Sequence, residues 1–115
     1  RRLLPGPYTF ILDASRLVPK ILLPKRKAVG IRVPANTICL ELVRELGHPI
    51  ISTSVTVGDD EILSDPFDME EEFRHSVDMV IDGGVIIPEE SSVISFIGDY
   101  PEVIREGKGD VSLFI

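Results

Sequence analysis

The corner Pro5-Gly6-Pro7, running straight into Tyr8-Thr9-Phe10-Ile11-Leu12, constrains this chain more than any other stretch. Two prolines fix φ, and the glycine between them can take dihedrals closed to other residues. The run that follows is β-branched and aromatic, so it is expected to form a buried strand. A corner of this kind costs freedom to build and places one strand end rigidly.

The totals permit one small domain with a real core. The chain has 115 residues, 43% of them hydrophobic and 27% charged, which places it among globular sequences. Its apolar runs are too short to span a membrane, and no signal peptide opens it. Its single cysteine, Cys39, lies among apolar residues at helical spacing and reads as a core thiol. These features predict a cytoplasmic setting. The net charge of −7 argues against sequence-blind nucleic-acid binding as the whole activity. The charge is uneven, however. Arg16 to Lys27 holds five bases and no acid, and Asp59 to Glu72 holds eight acids and no base. The opening Arg1-Arg2-Leu3-Leu4, without an initiator Met and directly before a rigid corner, makes the chain read as a piece of something longer.

Along the chain, Asp13-Ala14-Ser15 is expected to turn. Leu17 to Leu23 reads as a short helical turn or irregular apolar segment between prolines, and Pro24-Lys25-Arg26-Lys27 as a basic loop. Ala28 to Val33 is a predicted strand ended by Pro34, with Gly30 leaving room for another backbone or a ligand to come close. Asn36 or the residue beside it caps a helix in which Ile38, Leu42 and Leu46 recur, and Gly47 stops it. Further strands are predicted over Pro49 to Ser54, Met79 to Ile81, Ser91 to Phe96 and Glu102 to Arg105. Gly58 to Leu63 reads as an acidic loop. Ser64-Asp65-Pro66 opens a second helix with Met69, Phe73 and Val77 on its buried face. The alternation predicts a mixed α/β (α+β) sheet.

The chemistry visible in the residues alone is modest. His48 and His75 are far apart, without ligand-like neighbours, and read as surface or capping residues; no metal cluster is expected. There is no P-loop or dinucleotide fingerprint. Glu70-Glu71-Glu72 reads as a solvated helix face. What remains is a set of polar groups at strand ends: Arg32, the hydroxyls of Ser52, Thr53 and Ser54, then Ser91, Ser92 and Arg105. Ligands of open α/β sheets gather at strand ends. Two guanidiniums with several hydroxyls suit an anionic ligand, although ordinary surface ion pairs would account for both arginines equally well.

Several segments resemble the YrdC-like domain family, in the same order: Pro5-Gly6-Pro7-Tyr8-Thr9, Val29-Gly30-Ile31-Arg32-Val33-Pro34, Pro49-Ile50-Ile51-Ser52-Thr53-Ser54, Ile81-Asp82-Gly83-Gly84, Glu90-Ser91-Ser92-Val93-Ile94 and Ile104-Arg105-Glu106-Gly107. The closing stretch from Arg105 to Phe114 is similar to the YciO branch. The resemblance covers essentially residues 1–115 as the C-terminal portion of a single domain. It implies a twisted open α/β sheet around a large, positively charged, concave cavity. It implies a nucleotidyltransferase of the threonylcarbamoyl-AMP synthase type, which joins L-threonine, bicarbonate and ATP, releases diphosphate, and serves a tRNA modification. Magnesium would accompany the triphosphate. The alternative within the same family is a non-catalytic module that binds a nucleotide, double-stranded RNA or tRNA, which would draw on Lys25-Arg26-Lys27.

The resemblance also assigns roles. Arg32, Ser52 and Ser91 fall at L-threonine positions. Ala28, Ser54, Thr56 and Arg105 fall at ATP positions, Ala28 through its backbone. No residue is assigned as a covalent or acid–base catalyst, and none as a metal ligand. Three departures stand out. The family's Lys-x-Arg motif lies N-terminal to the Pro-Gly-Pro corner and is absent here. Val55-Thr56 stands where the family has Ala-Asn, so an amide is exchanged for a hydroxyl. Ser92 replaces a threonine. On this reading the 115-residue piece is inactive alone, and activity belongs to the longer parent.

Overall fold

The computed structural model describes residues 2–15, 27–58 and 61–115. The chain divides into two units, one formed by residues 1–40 with 89–115 and the other by residues 41–88. The expected apolar segment Leu17 to Leu23, and Lys25 and Arg26 of the basic loop, lie outside the described residues. Lys27 is described; it has φ of 52° and its carbonyl accepts from the Ala14 amide at 2.8 Å.

The first unit is built on a four-stranded mixed sheet. Its strands are β1 (Tyr8–Asp13), β2 (Ala28–Arg32), β5 (Ser92–Ser95) and β6 (Glu102–Arg105), in the order β2-β1-β5-β6. β1 runs antiparallel to β2 and parallel to β5, and β6 is antiparallel to β5. All four elements lie where the sequence pattern places them. The Pro5-Gly6-Pro7 corner is anchored by the Gly6 amide, which donates to the Val33 carbonyl at 2.9 Å. A Cβ on Gly6 would collide with the Leu3 carbonyl, so only glycine fits there.

Strand alternation separates two faces. On one, Tyr8 stacks on Phe10 at 5.7 Å, and Phe10, Phe96 and Phe114 meet pairwise at 5.5–6.3 Å. Each such ring pair adds about 0.5–1.5 kcal/mol beyond area burial. Ile94 is fully buried, and Tyr8 and Val111 nearly so. The strand predicted to be buried is thus buried mainly at Tyr8, and Leu12 is 38% exposed.

The Gly107-x-Gly109 loop closes over this core. Fully buried Ser92 donates its hydroxyl to the Gly109 carbonyl at 2.6 Å and accepts from the Gly107 amide at 2.9 Å. A Cβ on Gly107 would strike the backbone of Glu90 and Ser91, and one on Gly109 would come within 2.6 Å of the Tyr8 ring. The Tyr8 hydroxyl donates to the Asp110 carbonyl at 3.0 Å. A 3-10 turn, Ser112–Phe114, ends the chain and carries Phe114 to the aromatic cluster. Asp110 braces this turn. Its carboxylate accepts from the Ser112 amide and hydroxyl, and these bonds lower its pKa below the ordinary aspartate value.

Helix α1 (Thr37–Leu46) is capped by Asn36, whose Oδ1 accepts from the Cys39 amide at 3.1 Å, and is stopped by Gly47 at φ 77°. It buries no residue: Ile38, Leu42 and Leu46 are 38–48% exposed. Cys39, expected as a core thiol, is exposed. Helical spacing identified the apolar stripe correctly, but spacing does not supply an element to cover it.

The second unit departs further from expectation. Pro49 to Ser54 forms no strand. The paired strands are instead β3 (Thr56–Val57) and β4 (Glu61–Ile62), an antiparallel ribbon at the place read as an acidic loop. The Leu63 amide closes it onto the Val55 carbonyl at 2.9 Å. An apolar run becomes a strand only where another strand takes its ladder bonds, and Ile50 and Ile51 have no such pairing. Met79 to Ile81 likewise forms no strand; Met79 is 75% exposed. Helix α2 (Pro66–Phe73) starts as predicted, with Asp65 accepting from the Phe67 amide at 2.9 Å and Pro66 in the first turn. Met69 and Phe73 are half-buried, but Val77 falls beyond the helix and is 44% exposed. His48 and His75 are exposed.

Candidate functional site

The second face of the four-stranded sheet carries Arg32, Ser91 and Arg105, whereas Ser92, singled out with them, lies on the core face opposite Tyr8. Thr9 is the register partner of Arg32 on β2 and of Val93 on β5, and Val93 is the partner of Arg105 on β6. Residues opposite one another share a face. Arg32, Thr9, Val93 and Arg105 therefore form one row across all four strands. Three interstrand steps separate its ends, about 14 Å.

A bulge completes the row. Between Val93/Ile94 and their partners Arg105/Val103 the register slips by one residue, leaving Ile104 extra. In an unbroken ladder Ile104 would stand opposite Val93, and Arg105 would fall on the other face. With the bulge, Arg105 reaches Ser91. Its Nε donates to the Ser91 carbonyl at 3.0 Å and its Nη2 to Ser91 Oγ at 3.3 Å. Ser91 Oγ also shares a 2.7 Å hydrogen bond with Thr9 Oγ1. Glu90 lies 3.8 Å from Arg105 Nε in an exposed pair of small energetic weight.

Arg32 differs. It is exposed and makes no hydrogen bond or ion pair with any described residue. The surface-ion-pair account thus fits part of Arg105 and none of Arg32. Beside Arg32, Gly30 keeps the face low: a Cβ there would come within 3.3 Å of the Thr9 γ-methyl, so the neighbour at Gly30 is a side chain and not the backbone or ligand expected.

The remaining predicted residues sit elsewhere. Ala28 shares the face of Gly30 and Arg32 but pairs with Asp13, about 13 Å along β2 from Arg32. Ser52, Ser54 and Thr56 belong to the second unit and are exposed. Thr56 opens β3 opposite Ile62. A shallow open depression in that unit, lined by Glu70, Arg74, Val77, Asp78, Met79 and Val80, contains none of the predicted residues. Among the described residues no group of three or more His, Cys, Asp and Glu side chains could hold a metal ion. No described helix is long and apolar enough to cross a membrane.

Sequence reasoning missed Thr9. A signal was present, since Thr9 is the one polar side chain between Tyr8 and Leu12. Period-2 alternation sets it on the face opposite Tyr8 and Phe10.

Comparison with known proteins places the sequence and the fold. Residues 1–107 match the Sua5/yciO/yrdC family model, described as "Telomere recombination". The chain is 42% identical to the uncharacterized protein YciO of Escherichia coli over 113 residues, 96% of this chain and 55% of that protein. It superposes on the crystal structure of E. coli YciO with a TM-score of 0.88. The threonylcarbamoyl-AMP synthase of Pyrococcus abyssi is 31% identical over 93% of this chain and 32% of its own length. The crystal structure of P. abyssi Sua5 complexed with L-threonine matches 92% of this chain with a TM-score of 0.83. The chain spans about half the length of the YciO relatives it matches. With a mixed sheet that superposes on both YciO and Sua5, and a family match running from its first residue past the row of arginines, this chain belongs to the Sua5/YciO/YrdC family.

Proposed function

We propose that the protein carrying this chain is a threonylcarbamoyl-AMP synthase: it joins L-threonine, bicarbonate and ATP and releases diphosphate. The observation that carries this reading is Arg32, an exposed guanidinium without a side-chain partner among the described residues, in one row with Thr9 and Arg105, both of which flank Ser91. A relative matching most of this chain has been crystallised with L-threonine, which supports an amino acid as the ligand of such a face.

On this reading Arg32 takes the threonine carboxylate in a bidentate pair, with Ser91 beside it. The threonine amine and bicarbonate give a carbamate with loss of water. A carbamate oxygen then displaces diphosphate from the α-phosphorus of ATP. Arg105 serves the nucleotide, with Ala28 contacting it through the backbone. Magnesium would come with the triphosphate as part of that substrate and would offset its negative charge. Catalysis is then largely positioning and charge stabilisation.

The test is ATP-dependent diphosphate release by the full-length protein, beside Arg32→Ala. Release should require all three substrates. The variant should raise the KM for L-threonine at least about tenfold, the loss expected for a charge-assisted pair. Well-folded protein that releases no diphosphate overturns the reading.

A further inference from the structure

Ser91 Oγ sits between two side chains that can both donate to it. A guanidinium has donors only, so at the Arg105 contact Ser91 must accept. A serine hydroxyl has two acceptor lone pairs and one proton. If the 2.7 Å bond from Thr9 also runs toward Ser91, both lone pairs are filled and only the proton is left. Ser91 is itself buried, 4% exposed, while its neighbour Arg32 across Thr9 is exposed. Thr9 is doubly fixed for this task, by its ladder on both sides and by its γ-methyl against Gly30.

We propose that Thr9 is a positioning residue: by donating to Ser91 Oγ together with Arg105, it holds Ser91 as a pure hydrogen-bond donor aimed at an anionic oxygen of the ligand. The inference deepens the function proposed above and rests on it for the choice of ligand. It selects the ligand group by chemistry. A carboxylate, carbamate or phosphate oxygen accepts from Ser91, whereas an ammonium group finds no lone pair there. It also gives Arg105 a second task, since the same guanidinium that would face a nucleotide sets the polarity of the serine beside the amino acid.

The experiment is calorimetric titration of the full-length protein with L-threonine and, separately, with inorganic phosphate. The variants are Thr9→Val, Thr9→Ser, Ser91→Ala and the double variant Thr9→Val/Ser91→Ala. Valine keeps the methyl and removes the hydroxyl; serine does the reverse. Thr9→Val should weaken binding about tenfold, and Thr9→Ser should restore it to within about twofold. In the Ser91→Ala background Thr9→Val should add nothing, because its effect passes through the serine. A merely structural role would lower the melting temperature of both Thr9 variants and leave affinity alone. The proposal is overturned if Thr9→Val binds like wild type, if Thr9→Ser is as weak as Thr9→Val, if the losses at Thr9 and Ser91 add, or if wild type binds neither probe. Wild type that binds phosphate but not L-threonine, with Thr9→Val weakened and Thr9→Ser restored, removes the amino-acid reading and sustains the donor role.

Discussion

The two faces of the four-stranded sheet use the same strands for opposite ends. Tyr8, Phe10, Ile94 and Phe96 gather aromatic and aliphatic bulk on one side; Thr9, Gly30, Arg32 and Arg105 keep the other side small, polar or charged. One residue step along β1 separates a core ring from a site hydroxyl. On the proposed function, stability and ligand chemistry fall to alternating positions of one strand, so each can be altered with little effect on the other. The contrast can be broken by neighbouring substitutions on opposite faces.

The largest difference is expected on β5. Ile94 is fully buried and Val93 half-buried. Ile94→Ala should cost about 3–4 kcal/mol from lost burial and cavity formation, and Val93→Ala about 1 kcal/mol. Urea unfolding read by circular dichroism measures both. Equal losses would mean that the polar face is packed as tightly as the aromatic one.

Glycines give the next contrast. Gly107→Ala drives a Cβ into the backbone of Glu90 and Ser91, which cannot rotate away, and disturbs the Ser92 bonds beside it. A loss of about 2–3 kcal/mol is expected, as for overpacked cores. Gly30→Ala meets only the Thr9 methyl at 3.3 Å, and Gly30 has no positive φ. Its stability should change by less than about 1 kcal/mol. If Gly30→Ala also weakens L-threonine binding, the open floor beside Arg32 is part of the ligand site.

These contrasts also show what could be read from the residues in advance. The corner, the four sheet strands, both helix starts and the Gly107-to-Asp110 loop were legible because each has a local cause: a fixed φ, an alternation, a cap. The ribbon at Thr56 to Ile62 and the exposed Cys39 were not, because both depend on which element meets which. Within the site, Arg32 and Ser91 could be named as polar groups at strand ends. That Arg105 shares their face could not, because it depends on a bulge at Ile104 with no signature in Glu102 to Arg105. Ordinary alternation would have paired Arg105 with Val103 in facing.

That bulge can be tested by length. Deleting Ile104 makes the ladder regular while leaving Arg105 opposite Val93, so L-threonine affinity should stay within about threefold, since Arg105 retains its reach to Ser91. Inserting one alanine between Ile104 and Arg105 turns the guanidinium away and should cost about tenfold in affinity. Titration of both length variants checks this. Equal affinities would show that the row does not set ligand binding.

The smallest effect lies at Asp110, on the loop that closes the aromatic side. Hydrogen bonds from the Ser112 amide and hydroxyl favour its charged form and lower its pKa below the ordinary value. A carboxyl with a lower pKa folded than unfolded adds stability above the unfolded pKa and loses it as pH falls through the folded one. The melting-temperature gap between wild type and Asp110→Asn should therefore be constant from pH 7 to about 5, and shrink below the ordinary aspartate pKa of about 4. Because the side chain is exposed, the gap should be the smallest of the series. A gap that stays constant below pH 4 would mean that the turn is braced by hydrogen-bond geometry alone, which asparagine supplies at one oxygen, and that the charge contributes nothing. A gap that closes would place a charge-dependent brace on the face that holds the core, opposite the face that carries Arg32.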